Sequence, residues 1–169
     1  TVAELGGLEI LVNNAGIARG GAFAEQSLDD IDAMIDTNVR GVFHITHAAL
    51  QHLSDGGRII NMGSNIGLSL PFAGVSVYAA SKSALESFTR GLAREVGDRN
   101  ITVNLVRPGP TNTDMNPQDG PMAALVLPGM ALKRYGQPEE IAGAVAYLVG
   151  PEAGFITGTG ITIDGGAIA

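Results

Sequence analysis

Apolar residues along the chain follow two alternating rhythms. Nearly continuous runs of Ile, Leu and Val occupy 8–14 (LEILVNN), 58–64 (RIINMGS), 101–107 (ITVNLVR) and 160–164 (GITID). Unbroken runs of this length predict strands covered on both faces, where alternation with polar residues is not needed. Between them the apolar spacing changes to three and four. A first helix is predicted from Ser27, with Ile31, Ile35, Val42, Ala49 and Leu53 on one stripe and SLDD read as a capping box in which Asp30 reaches back. A second covers about 77–96, with Leu85, Leu92 and Val96 inward. A third opens at QPEE, where Pro138 suits the first helical position, acids fill the first turn and Gly150 closes the far end.

Strands and helices that alternate in this way imply right-handed crossovers, a parallel sheet and an α/β fold, a three-layer α/β/α sandwich. One domain over 1–169 is expected, with no internal repeat and no low-complexity linker. The stretch 111–134, rich in Pro, Gly and Met, is the one long irregular segment and reads as a lid.

Composition narrows the function classes. With 45% hydrophobic residues and 16% charged, the chain can build a core. A formal net charge of -7 works against nucleic acid or an anionic membrane as partner, since phosphate neutralisation needs clustered Lys and Arg. Without cysteine there is no disulfide, thiol nucleophile or thiolate metal site. No apolar run approaches the roughly 20 residues that span a bilayer, so a cytoplasmic location is the expectation. His44, His47 and His52 share the first helical region without a carboxylate or cysteine to complete a ligand set, and no metal is expected.

In open α/β sheets ligands bind beyond the carboxyl ends of the strands. Those ends carry NNAG (13–16), MGS (62–64) and RPGPTNT (107–113), all small, polar or glycine-rich. Tyr78 opens the helix after the second strand and reaches the same rim, while Lys82 lies one turn further on the same face, toward covered space. A nearby ammonium favours a phenolate, which predicts a lowered Tyr78 pKa and a usable acid and base. Ser64 can donate to a carbonyl oxygen whose charge grows in the transition state. Asn38 interrupts the apolar stripe of the first helix, and a buried amide needs backbone or ordered water to pair with.

Taken in order, NNAG, Asn38 in TNVRGVF, Ser64 in INMGS, YAASK, RPGPTNTDM and ITIDGG resemble the short-chain dehydrogenase/reductase family over essentially the whole chain, most closely its 3-oxoacyl-carrier-protein reductases and related carbonyl reductases. The resemblance implies the C-terminal part of a doubly wound Rossmann fold, and an NAD- or NADP-dependent oxidoreductase that interconverts a small-molecule carbonyl and an alcohol by hydride transfer. It implies that Tyr78 moves the proton, Lys82 lowers the phenol pKa and holds the nicotinamide ribose, Ser64 orients the carbonyl and Asn38 anchors a relay water. It also implies that Asn14, Ala15, Gly16, Pro108, Gly109, Thr111 and Thr113 line the cofactor, that Leu68, Leu70 and Phe72 shape the substrate pocket, and that the protein is a homo-oligomer, a dimer or tetramer.

The family's first strand and glycine-rich TGxxxGxG turn, which cradles the pyrophosphate, do not precede Thr1. The run at 8–14 is then expected as an apolar edge strand, which predicts either that Thr1 is not the natural beginning or that a second copy pairs there. Two further readings stand beside the oxidoreductase. One is a catalytically inactive relative serving as a binding or scaffold protein. The other is hydrolysis by Ser64, which all three histidines on the first helix disfavour.

Overall fold

The computed structural model describes residues 2–169, apart from the side chains of Ala3 and Leu5; Thr1, on which the expectation about the chain's beginning falls, lies outside the described residues. A single turn α1 (Val2–Leu5) leads into β1 (Leu8–Asn13), followed by α2 (Leu28–Ile35), a π-helical turn (Asp36–Gly41) and α3 (Val42–Leu50). Next come β2 (Leu53–Met62), α4 (Ser76–Glu95), β3 (Thr102–Pro108), the short α5 (Ala123–Val126), α6 (Pro138–Val149) and β4 (Gly160–Ile163). The sheet runs β1-β2-β3-β4, every pair parallel.

Period-two alternation on buried strands separates the layers. Ile59 and Val103 face Leu92, Ala93 and Val96 of the α4 side, whereas Ile60 and Val106 face Ile141 and Leu148 of α6 on the other. Each such side chain contributes about 1.5–3 kcal/mol on burial. Both faces are covered, as the unbroken apolar runs require. The outer side of β1 is the exception: it has no strand partner among the described residues, and Ile10 and Val12 are exposed there.

Three sequence expectations shift at this level. The second strand begins at Leu53, not Arg58, so Leu53 packs from the sheet and not from the preceding helix stripe. The buried stripe of that helix is Met34, Asn38, Val42, Thr46 and Ala49, while Ile31 and Ile35 are only half-buried. A π-turn carries more residues per turn than an α-helix and holds a spacing of four through Asn38, rephasing the face that an ideal helix would present. At the helix start, the Ser27 hydroxyl accepts from the Asp30 N–H at 3.1 Å, but the Asp30 carboxylate turns to Arg19 instead of back to Ser27. The half of the capping box that is missing at 27–30 is made at α6, where the Gln137 N–H donates to Glu140 Oε2 at 2.8 Å, ahead of Pro138.

Candidate active site

The carboxyl ends of the strands open into one cleft of about 1100 Å³. Asn14, Ala15, Gly16, Ser64, Tyr78, Lys82, Pro108, Gly109, Thr111 and Thr113 all line it. Asn38 stands behind that wall, fully buried. Tyr78 and Lys82 project from the first two turns of α4, whose N-terminus faces the end of β2 where Ser64 sits. Lys82 is only 5% exposed, and its Nζ donates to the Met62 carbonyl at 2.9 Å.

The electrostatics of this pair differ from the sequence expectation. Burial lowers the Lys82 ammonium to about 8. Burial also pushes the Tyr78 phenol above its ordinary range, with a side-chain hydrogen bond to Ser64 acting in the opposite direction. The lowered phenol expected from Lys82 is therefore not found. Lys82 Nζ lies over the ring, 5.9 Å from its centroid, and is turned to Met62, so the loss of water around the phenol outweighs the cation beside it.

Asn38 is held on both edges of its amide. Its Oδ1 accepts from the Ile17 N–H at 2.9 Å, and its Nδ2 donates to the Ile17 carbonyl at 2.8 Å and to Ser81 Oγ at 3.0 Å. The pairing is with backbone and a hydroxyl, which staples the chain just beyond NNAG to α4. Gly16 is needed at this crossing: a Cβ there would lie 3.1 Å from Lys82 Nζ and 3.4 Å from Asn38 Oδ1. Gly109 has a different cause from the ligand approach its motif suggested, because a Cβ would meet Asp164 Cβ at 2.4 Å. The neighbour that demands the glycine is β4's end.

Sequence reasoning missed a buried polar ladder beneath the site. Asn13 Nδ2 donates to Thr46 Oγ1 at 2.9 Å and to Asn61 Oδ1 at 2.8 Å, and Asn61 Nδ2 donates to Thr89 Oγ1 at 2.9 Å. It joins α3, β1, β2 and α4 in one line. It also missed Asn65, whose Nδ2 donates to Asp164 Oδ2 at 3.2 Å and fixes the residue after Ser64 to the C-terminal segment. Asparagines inside otherwise apolar strands, as in RIINM and LVNN, were the available signal.

Beyond Ser64 the segment to α4 contributes Ile66, Pro71, Phe72 and Val75 to the cleft. Phe72 is where the sequence places it, but Leu68 and Leu70 are exposed and do not line the cleft. The lid 111–134 supplies Met115, Met122, Leu125 and Val126. Tyr135 anchors it from below, its hydroxyl donating to Asn116 Oδ1 at 3.2 Å. Among the described residues no cluster of His, Asp or Glu is placed to hold a metal ion, and no helix is long and apolar enough to cross a membrane.

A family model described as enoyl-(acyl carrier protein) reductase matches residues 1–167. The chain belongs to the short-chain dehydrogenase/reductase family. It is 51% identical over 164 residues to the cyclic-di-GMP-binding biofilm dispersal mediator protein of Escherichia coli (strain K12), covering 97% of this chain and 69% of that protein. It is 40% identical over 166 residues to the 3-oxoacyl-[acyl-carrier-protein] reductase FabG of Vibrio cholerae, covering 96% of this chain and 68% of that one. Among solved structures, a short chain dehydrogenase from Burkholderia cenocepacia J2315 in complex with NADP superposes with a TM-score of 0.98 at 53% identity, over 99% of this chain and 69% of that one. The Rossmann-type fold read from the sequence is thus the family's own.

Proposed function

We propose that this chain is an oxidoreductase that interconverts a carbonyl and an alcohol using NADP(H) or NAD(H), with Tyr78 as the acid and base. The observation that carries the reading is the convergence of Tyr78, Ser64 and Lys82 on one cleft at the carboxyl ends of the strands. The family and its NADP-bound neighbour support a nicotinamide cofactor.

The residues present suit the nicotinamide-ribose end of such a cofactor. Lys82 carries three N–H donors and spends one on Met62, which leaves donors for a hydroxyl-rich ligand in a covered place. Asn14, Gly16, Thr111 and Thr113 would form the adjoining walls. When bound, the cofactor supplies the hydride. Ser64 donates a hydrogen bond to the substrate oxygen and holds it beside the phenol. With its pKa raised, Tyr78 keeps its proton at neutral pH and gives it to that oxygen as negative charge develops. The phenolate left behind is held by the Lys82 ammonium and takes a proton back from water. Asn38 keeps the backbone at Ile17 and the first turns of α4 in register, and we assign it a relay role through that position. Exposed Phe43 and Ile45 on α3 and Tyr147 and Phe155 at the opposite layer support assembly as a homo-oligomer.

Tyr78→Phe is expected to lower kcat for carbonyl reduction by about 10²–10⁴-fold while nucleotide binding and the far-UV spectrum stay as in the parent. A variant that keeps full turnover overturns the role of Tyr78. A parent chain that binds neither NADPH nor NADH turns the conclusion to the scaffold reading instead. The relative's name favours one further ligand, cyclic di-GMP; titrating that dinucleotide against the chain decides whether the likeness extends to it.

A further inference from the structure

We infer that the substrate side of the cleft takes a neutral, apolar ketone, and not a compound carried on or built from phosphates. The inference rests on the reductase reading and adds the chemical class of its substrate. Two segments give apolar side chains to the cleft that Ser64 and Tyr78 line: Ile66, Phe72 and Val75 after β2, and Met122, Leu125 and Val126 from 111–134. Lys82 is the one cationic side chain among the described residues that line the cleft, and no carboxylate lines it. That ammonium is buried, bonded to Met62 and beneath the tyrosine ring.

The cations at the end of the lid do not line the cleft. Lys133 Nζ donates to the Pro128 carbonyl at 2.9 Å, and Arg134 forks onto Glu140 with both contacts at 2.7 Å. Arg19, beyond the other rim, pairs with Asp30. Phosphate recognition depends on charge-assisted bonds from Arg or Lys or on a helix N-terminus. A phosphate placed against the substrate walls would lose water and meet no Arg there, and no Lys other than the buried Lys82, with only the amino end of α4 at Val75 to set against that loss. The chain's net charge of -7 opposes it further. Of the other polar side chains on the cleft, Asn116 Oδ1 accepts from Tyr135 and Asn65 Nδ2 donates to Asp164. Hydrogen-bonding capacity is therefore concentrated at Ser64 and Tyr78, where a single carbonyl oxygen belongs. Beyond that oxygen the side chains from 66–75 and 122–126 that line the cleft are all apolar.

Saturation-transfer NMR on the full chain, with NADP present so that no reduction occurs, tests this with three probes: acetophenone, acetoacetyl-coenzyme A and cyclic di-GMP. Acetophenone is expected to bind, and Phe72→Asp and Leu125→Asp, each checked for a parent-like far-UV spectrum, are expected to weaken it by about tenfold or more. The two phosphate-bearing probes are expected to leave the acetophenone signal undisturbed. Displacement by either, absence of acetophenone binding, or binding that both aspartates leave intact overturns the inference. Turnover with NADPH is read separately. Acetophenone bound but not reduced, with no other ketone reduced, removes the reductase reading while the apolar pocket stands; reduction of acetoacetyl-coenzyme A alone keeps the reductase and removes the substrate class.

Discussion

Two arginine-glutamate forks, one side-on and one end-on, sit in different media. Arg107 meets Glu86 through Nε at 2.5 Å and Nη2 at 2.7 Å, and both side chains are 13% exposed. Arg134 meets Glu140 through its two terminal nitrogens, and those side chains are 54% and 43% exposed. The first fork ties α4, one turn beyond Lys82, to the residue ahead of Pro108, and Arg107 Nη1 adds the Gly160 carbonyl at 2.7 Å. The second closes the root of the lid onto the start of α6. An exposed pair competes with water on equal terms and is worth little. A buried pair is hard to break from one side, because the survivor is left charged and dry. The floor that carries Tyr78 and Lys82 is thus tied by a largely covered fork, while the fork at the end of 111–134 is one that water can replace, beside the buried anchors Met130 and Tyr135.

The strongest way to break that contrast is to cut the buried fork. Glu86→Ala is expected to lower unfolding free energy by about 2 kcal/mol in denaturant titrations, between an exposed and a fully buried pair, since both side chains keep 13% exposure. Glu86→Leu with Arg107→Met should recover most of it, since neither partner then remains as a buried charge. Arg107→Lys should rescue little, because an ammonium cannot replace the two-pronged contact. A single Glu86→Ala substitution with parent stability removes the distinction between floor and lid.

How much of this was legible in the chain depends on the range of the signal. Four strands and three main helices follow from local apolar spacing, and Tyr78 with Lys82 follows from a one-turn offset on a helix that must face the sheet. The ladder through Thr46, Asn13, Asn61 and Thr89 was not legible, because its members sit 28 to 48 residues from their partners and no local pattern pairs them. Leu68 and Leu70 were misplaced since the chain between β2 and α4 is irregular, with no period to assign a side to each residue. The direction of the Tyr78 shift was misread for another reason. Spacing shows that a cation is near, but only coordinates show how much water both groups lose.

Burial of the floor also has a pH signature, smaller than the loss of the fork. Lys82 titrates near 8 in the folded chain against 10.5 when unfolded, so between those values the unfolded chain binds more protons and stability rises with pH. Tyr78, shifted upward, acts in the opposite sense above about 10, when the unfolded phenol has already lost its proton. Comparing the parent with Lys82→Met from pH 8 to 10 cancels the tyrosine, which both carry. The parent's melting temperature is expected to gain on the variant's across that window. Parallel profiles would place the ammonium in water and undo the buried floor.

The smallest effect is expected at the lid's root. Arg134→Ala leaves Glu140 still accepting from the Gln137 N–H, so α6 keeps its cap and what goes is the exposed fork and one Arg134 Nη1 bond to the Tyr135 carbonyl at 3.0 Å. No resolvable change in melting temperature should follow. Hydrogen exchange is the sharper measurement: amides of 116–130 should exchange faster in the variant, because Arg134 ties the end of that segment to Glu140, while those of β2 and β3, which Arg134 does not touch, hold their protection. A loss of global stability as large as that of Glu86→Ala would show that burial is not what separates the two forks. Slower exchange would show that Arg134 loosens the lid instead of rooting it.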